Sequence, residues 1–122
     1  MRMLLDSNII IDHLNNIKEA TEFLANNYDN IYISVITRAE VLSGCNKKSI
    51  NKVKRLLNKF PTLSMTSNDA DHTAELREKH KLKLPDAIQI AIAENNNLTL
   101  VTRDTKDFTK KNIKNLLVPY KI

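Results

Sequence analysis

Leu84-Pro85-Asp86-Ala87-Ile88-Gln89-Ile90-Ala91-Ile92-Ala93 reads as a helix that opens abruptly and is apolar on nearly every side. Pro85 suits the first helical position, where a missing N–H costs nothing. Asp86 follows in the first turn, where a carboxylate favours the positive end of the helix dipole. From Ala87 to Ala93 only Gln89 interrupts the apolar run, so the helix is expected to be buried. A carboxylate fixed at the mouth of a buried helix is either a cap or part of a site. The rest of the chain bears on that choice.

Outward from this helix, short β-rich runs alternate with helical patterns. Upstream, Met3-Leu4-Leu5 is a short apolar strand that stops at Asp6. Ser7 and Asn8, good N-cap types, precede a helical turn from Ile9 to Leu14. Ile17, Ala20, Phe23 and Leu24 recur at helical spacing, which carries a second helix to about Asn27. Ile31 to Ile36 is rich in β-formers. Thr37 and Glu40 have capping-box spacing for a helix ending near Gly44. Ser49 heads another helix, with the stripe Ile50, Val53, Leu56, Leu57 and Phe60 and a stop at Pro61. Leu63 to Thr66 reads as a short strand, and Ser67 or Asn68 caps a helix over Asp69 to His80. Downstream, Leu98 to Thr102 is a strand, Asp107-Phe108 to about Asn112 a short helix, and Leu116 to Val118 a last strand. Such alternation implies an α/β fold, with a mostly parallel sheet covered by helices on both faces.

Composition narrows the function. A chain of 122 residues makes one domain, expected over residues 1–122, with room for a proper core. The hydrophobic share of 42% and the charged share of 27% are ordinary for a globular protein. A formal net charge of +5 points mildly toward a polyanionic partner. The single cysteine, Cys45, excludes an internal disulfide and a cysteine-based zinc cage. It fits a reducing compartment, and the cytoplasm is the expected location. No run resembles a signal peptide or reaches the ~20 apolar residues of a membrane span, so no membrane partner is expected. With Gly44 the only glycine, glycine-dependent phosphate loops and dinucleotide fingerprints are ruled out.

In a parallel sheet, ligands bind beyond the carboxyl ends of the strands. Asp6, Glu40, Asp86 and Asp104 all fall on that edge if the strands run parallel, and Asp107 follows three residues after Asp104. Each has an ordinary alternative: Glu40 completes a capping box, while Asp6 and Asp104 serve as turn residues or N-caps. Together they are harder to dismiss. Gathered carboxylates repel one another unless a cation offsets them. An all-oxygen site suits Mg²⁺ or Mn²⁺.

These residues carry a family resemblance over nearly the full length. Leu5-Asp6-Ser7-Asn8-Ile9-Ile10-Ile11-Asp12, Ser34-Val35-Ile36-Thr37-Arg38-Ala39-Glu40-Val41, Leu84-Pro85-Asp86-Ala87-Ile88 and Thr102-Arg103-Asp104-Thr105-Lys106-Asp107-Phe108 stand in order at plausible spacing. They resemble the four motifs of PIN-domain proteins, specifically of VapC-type toxins of toxin–antitoxin pairs. The resemblance implies a three-layer α/β/α PIN fold with an acidic quartet of Asp6, Glu40, Asp86 and Asp104. It further implies a Mg²⁺- or Mn²⁺-dependent endoribonuclease leaving a 5′-phosphate and a 3′-hydroxyl, a VapB-like protein antitoxin whose segment occupies the acidic groove, and a homodimer. Ser7 stands where the family often has threonine and keeps the hydroxyl. Asp104 stands where the family often has asparagine with the later aspartate kept. The division of labour between Asp104 and Asp107 is therefore open, with Asp107 either a fifth ligand or a cap of the last helix.

RNA contact has candidate residues in three basic clusters. Lys47, Lys48, Lys52, Lys54, Arg55 and Lys59 lie in an interval with no acid between Glu40 and Asp69. Arg77, Lys79, Lys81 and Lys83 precede the central helix, and Lys106, Lys110, Lys111 and Lys114 follow Asp104. Such groups hold phosphates without reading sequence, or simply solvate a helix face. Arg38 and Arg103 each neighbour a quartet member, to steer phosphate or to pair with a carboxylate. His13, His72 and His80 have no spacing that supports metal-free acid–base cleavage. Two other readings compete. A phospho-aspartate receiver or phosphatase needs paired acids after the first strand, or a second aspartate where Asn8 stands. A catalytically silent nucleic-acid-binding scaffold has no need of an intact quartet.

Overall fold

A computed structural model describes residues 1–104 and 113–122. Its strands are β1 (Met3–Leu5), β2 (Ile31–Ser34), β3 (Thr62–Leu63), β4 (Thr99–Val101) and β5 (Leu116–Leu117). They form a five-stranded sheet in the order β3-β2-β1-β4-β5, and every neighbouring pair is parallel. Leu4 is level with Tyr32 on one side and Leu100 on the other.

The helices are α1 (Ser7–Leu14), α2 (Lys18–Asn27), α3 (Val35–Ser43), α4 (Ile50–Leu57), α5 (Ser67–His80) and α6 (Leu84–Asn95). They divide between the two faces of the sheet as strand alternation dictates. Met3 and Leu5 of β1 join Ile9, Leu24, Val41 and Leu57 in one core, the side of α1 to α4. Leu4 points the other way, into a core built from Leu76 of α5 and the Ala87–Ala93 run of α6. The result is three layers, α/β/α. Residues 87 to 93 of α6 are all buried, as the apolar run requires.

Helix starts differ from the sequence reading where a neighbour offers a better cap. Asp6, rather than Ser7 or Asn8, caps α1, accepting from the Ser7 N–H. Ser34 caps α3 and accepts from the Thr37 N–H, so the helix begins two residues before Thr37 and the Thr37–Glu40 box is not made. Lys83 caps α6, which puts Leu84 at its first position and Pro85 at its second. Left-handed backbone falls mostly on asparagine in this glycine-poor chain, at Asn16, Asn97 and Asn115, with Lys81 ending α5. The short helix expected near Asp107 lies outside the described residues.

α5 is capped one residue earlier than expected. Thr66 and Asp69 form a reciprocal capping box, and Asp69 also accepts from Asn95 Nδ2 at 2.7 Å, tying α5 to the end of α6. Burial raises the Asp69 pKa, but the hydrogen bonds from Thr66 and Asn95 outweigh it and hold the carboxyl below its ordinary 3.8. A depressed carboxylate pKa stabilises the fold above the unfolded value and ceases to do so as pH falls through the folded one. Wild type is therefore expected to lose stability on acidification below about pH 4. Asp69→Asn is expected to be less stable at pH 7 by about 1 kcal/mol and to flatten that acid limb. Urea melts at pH 7 and pH 3 measure both effects.

Candidate active site

β1 is the strand at which the chain reverses direction across the sheet. From β1 the chain builds outward to β2 and β3, then returns to the opposite side of β1 for β4 and β5. A parallel sheet opens a crevice at the carboxyl ends of the two strands flanking such a point. Those ends carry Asp6 and the segment Thr102–Asp104.

The two are joined by hydrogen bonds. The Thr102 hydroxyl donates to Asp6 Oδ2 at 2.8 Å and accepts from Asn8 Nδ2 at 3.0 Å and the Asp104 N–H at 3.1 Å. The Asn8 side-chain oxygen accepts the Arg103 N–H at 3.2 Å. Asp6 is thereby held at the mouth of the crevice with its second oxygen on the Ser7 N–H at 2.7 Å.

Asp6, Glu40 and Asp104 are electrostatically coupled. Burial pushes the Asp6 pKa up, and the Asp104 charge adds to it against hydrogen bonds from Thr102 and Ser7. Glu40 is exposed as a residue, yet its carboxyl is shielded enough that burial raises its pKa, and the Asp6 charge raises it further. The Ser7 hydroxyl lies close enough to both carboxyls to favour their charged forms, against burial and mutual repulsion.

Asp86 reaches the same edge through its helix. Gln89, one turn beyond it and 2% exposed, accepts from the Ser34 hydroxyl and donates to Thr37 Oγ1, both at 2.6 Å. Thr37 in turn donates to the Leu5 carbonyl at 2.9 Å. This buried chain pins the first turns of α6 and α3 to the end of β1. Asp107 and the lysines at 106, 110 and 111 lie outside the described residues.

The donor set is all carboxylate oxygen, and within it the Asp104 charge raises the Asp6 pKa and the Asp6 charge that of Glu40. Both properties fit a hard divalent cation. Among the described residues, no three His, Cys, Asp or Glu side chains converge closely enough to hold an ion. The carboxylates form an open set at the crevice rather than a closed cage.

Other residues fall elsewhere. Arg38 donates to Asn58 Oδ1 on α4 at 2.9 Å. Arg103 pairs with a carboxylate outside the quartet, that of Asp12. His13 bonds to Thr21, and His72 pairs with Glu94. The lysines of α4 are exposed, while Val53 and Leu57 face the core. Thr102, Gln89 and Asp12 escaped the sequence reading. The polar break at Gln89 in an apolar helix, and the acid at Asp12 among isoleucines, were the signals present. Among the described residues no helix is long and apolar enough to cross a membrane.

A PIN domain family model matches residues 3–114. Among solved structures the chain is similar to a toxin–antitoxin complex from Klebsiella pneumoniae, with 37% identity, a TM-score of 0.89, and coverage of 98% of this chain and 99% of that one. It is similar to FitAcB from Neisseria gonorrhoeae at 25% identity and a TM-score of 0.82, covering 98% and 99%. It shares its fold with VapBC2 from Rickettsia felis bound to a DNA fragment from their promoter, at 24% identity and a TM-score of 0.80, covering 96% and 98%. No curated protein sequence matches it.

Proposed function

The chain belongs to the PIN-domain family, and on that premise we propose that it is the VapC-type toxin of a toxin–antitoxin pair, acting as a divalent-metal-dependent endoribonuclease. The observation that carries this reading is the coupling of Asp6 to both Glu40 and Asp104 at the crevice beside β1. The likeness to a toxin–antitoxin complex over nearly the whole of both chains supports the toxin assignment.

Asp6, Glu40, Asp86 and Asp104 are the residues that would hold Mg²⁺ or Mn²⁺, with Asp107 a further candidate. An ion held there would acidify a bound water and offset charge on the scissile phosphate. The protein's own part is placement. The Ser7 hydroxyl favours the charged forms of Asp6 and Glu40, Thr102 joins Asp6 to the segment carrying Asp104, and Gln89 fixes the turn that carries Asp86. Exposed Lys52, Lys54, Arg55 and Lys59 supply phosphate attraction without base readout. A protein antitoxin and a second copy of the chain are the proposed partners.

The test is cleavage of a labelled tRNA and rRNA panel by purified protein with Mg²⁺ or Mn²⁺ and with EDTA. The expected result is discrete products bearing 5′-phosphates, abolished by EDTA and restored by excess Mn²⁺. Cleavage that survives EDTA overturns the metal mechanism. RNA binding without cleavage supports the silent scaffold instead.

A further inference from the structure

Asp12 is an acid on the apolar side of α1, and it is 5% exposed. A carboxylate so placed is costly unless its charge and lone pairs are matched. Here they are. Arg103 Nε and Nη2 fork onto its two oxygens at 2.5 and 2.9 Å, and the Tyr120 hydroxyl donates to Oδ2 at 2.8 Å. Planar two-point pairing of this kind fixes orientation as well as distance. Arg103 is thus spent on Asp12 and is not offered to a phosphate.

Arg103 is also the residue before Asp104. Along α1, Asp6 holds the Thr102 hydroxyl, Asn8 holds the Arg103 N–H, and Asp12 holds the Arg103 guanidinium. Two consecutive residues of the segment after β4, Thr102 and Arg103, are therefore gripped at three points by polar side chains at the cap and along one helix, while the Asp104 N–H rests on Thr102. We propose that Asp12, Arg103 and Tyr120 are positioning residues, a clamp that sets where the Asp104 carboxylate stands relative to Asp6. The proposal rests on the ribonuclease reading for its catalytic consequence, because the carboxylates being positioned are those of the proposed site. A displacement of about 1 Å in such a group costs on the order of 10²-fold in rate.

The experiment uses the full chain and the variants Asp12→Asn, Arg103→Lys, their double variant and Tyr120→Phe, each confirmed folded by circular dichroism at the assay temperature. Three quantities are read: amide hydrogen exchange at Arg103 and Asp104, Mn²⁺ affinity by electron paramagnetic resonance, and kcat and KM on a cleaved RNA. Asp12→Asn and Arg103→Lys are expected to lose protection at both amides, to bind Mn²⁺ about 10- to 100-fold more weakly, and to lose kcat with KM little changed. The double variant is expected to do no worse than either single one, because the two residues act as one unit. Tyr120→Phe removes one hydrogen bond from the clamp and is expected to weaken Mn²⁺ binding about threefold, which keeps the test alive if the charge variants do not fold. Wild-type exchange and Mn²⁺ affinity in folded variants would overturn the clamp and leave Asp12–Arg103 a plain structural ion pair. If the wild type neither binds Mn²⁺ nor cleaves RNA, the ribonuclease reading fails. The exchange data then decide the clamp alone, lost protection supporting it and retained protection overturning it.

Discussion

Asp6→Asn is expected to abolish RNA cleavage, lowering kcat by at least about 10³-fold, in a protein that melts no lower than wild type by more than about 3 °C. Both halves follow from the surroundings of one side chain. Asp6 is coupled to two other quartet members, Glu40 and Asp104. Removing its charge takes away the shared centre of the acidic set. The fold loses little. Asparagine caps a helix as well as aspartate, and its oxygen still accepts the Ser7 N–H. Its amide replaces Oδ2, the acceptor of the Thr102 hydroxyl, so one hydrogen bond across the crevice is given up at about 1 kcal/mol. Burial and Asp104 both disfavour the Asp6 charge, so neutralising it relieves strain that the wild type carries. RNA cleavage and a thermal melt on the same preparation check the pair of outcomes. Substantial cleavage by the asparagine variant would remove Asp6 from the chemistry.

The largest expected effect on stability comes from Gln89→Leu, at about 2–4 kcal/mol in urea unfolding. Leucine approximately preserves the volume, so the cost is polar. The Ser34 hydroxyl loses the oxygen it donates to, and Thr37 loses the amide that donates to it. Both are buried beyond the reach of water. Two unmatched groups at about 1–3 kcal/mol each consume a large part of the ~5–15 kcal/mol that holds a domain together. Activity is expected to fall as well, by about tenfold or more in the fraction that remains folded, because Gln89 also sets the azimuth of the turn bearing Asp86. Restoring the hydrogen bonds with Gln89→Glu at low pH, where the carboxyl is protonated, is expected to recover part of the stability. A leucine variant as stable as wild type would show that the Ser34–Gln89–Thr37 chain contributes nothing net.

The fold was legible where patterning was strong, and the site where single residues interrupted that patterning. The Ala87–Ala93 run announced a buried helix and was found as one. Period-two alternation over Met3-Leu4-Leu5 was too short to orient, yet the three residues feed two different cores. The cap of α3 was misplaced because Thr37 and Glu40 have the right spacing in sequence. Ser34 wins because its hydroxyl serves the helix start and Gln89 together. That leaves Glu40 outside the cap, with its carboxyl coupled to Asp6. Thr102 and Asp12 were unreadable for a different reason. Their partners, Asp6 and Arg103, are 96 and 91 residues away, and no local period connects them. Arg103 offered two fates in the sequence, phosphate or carboxylate, and only the pairing with Asp12 settles which.

The central position of β1 also bears on when the proposed site can assemble. Met3 to Leu5 must wait for Thr99 to Val101 to pair along one of their edges. Contacts this distant in sequence form late, because the loop must close before the pairing rewards it. At a synthesis rate of about 5–20 residues per second, Asp6 emerges several seconds before Asp104 can join it. During that interval a nascent chain carries most of the acids of its site and no crevice to hold them. Strand order thus acts as a timer: the proposed site assembles in one late step, once β4 has paired with β1.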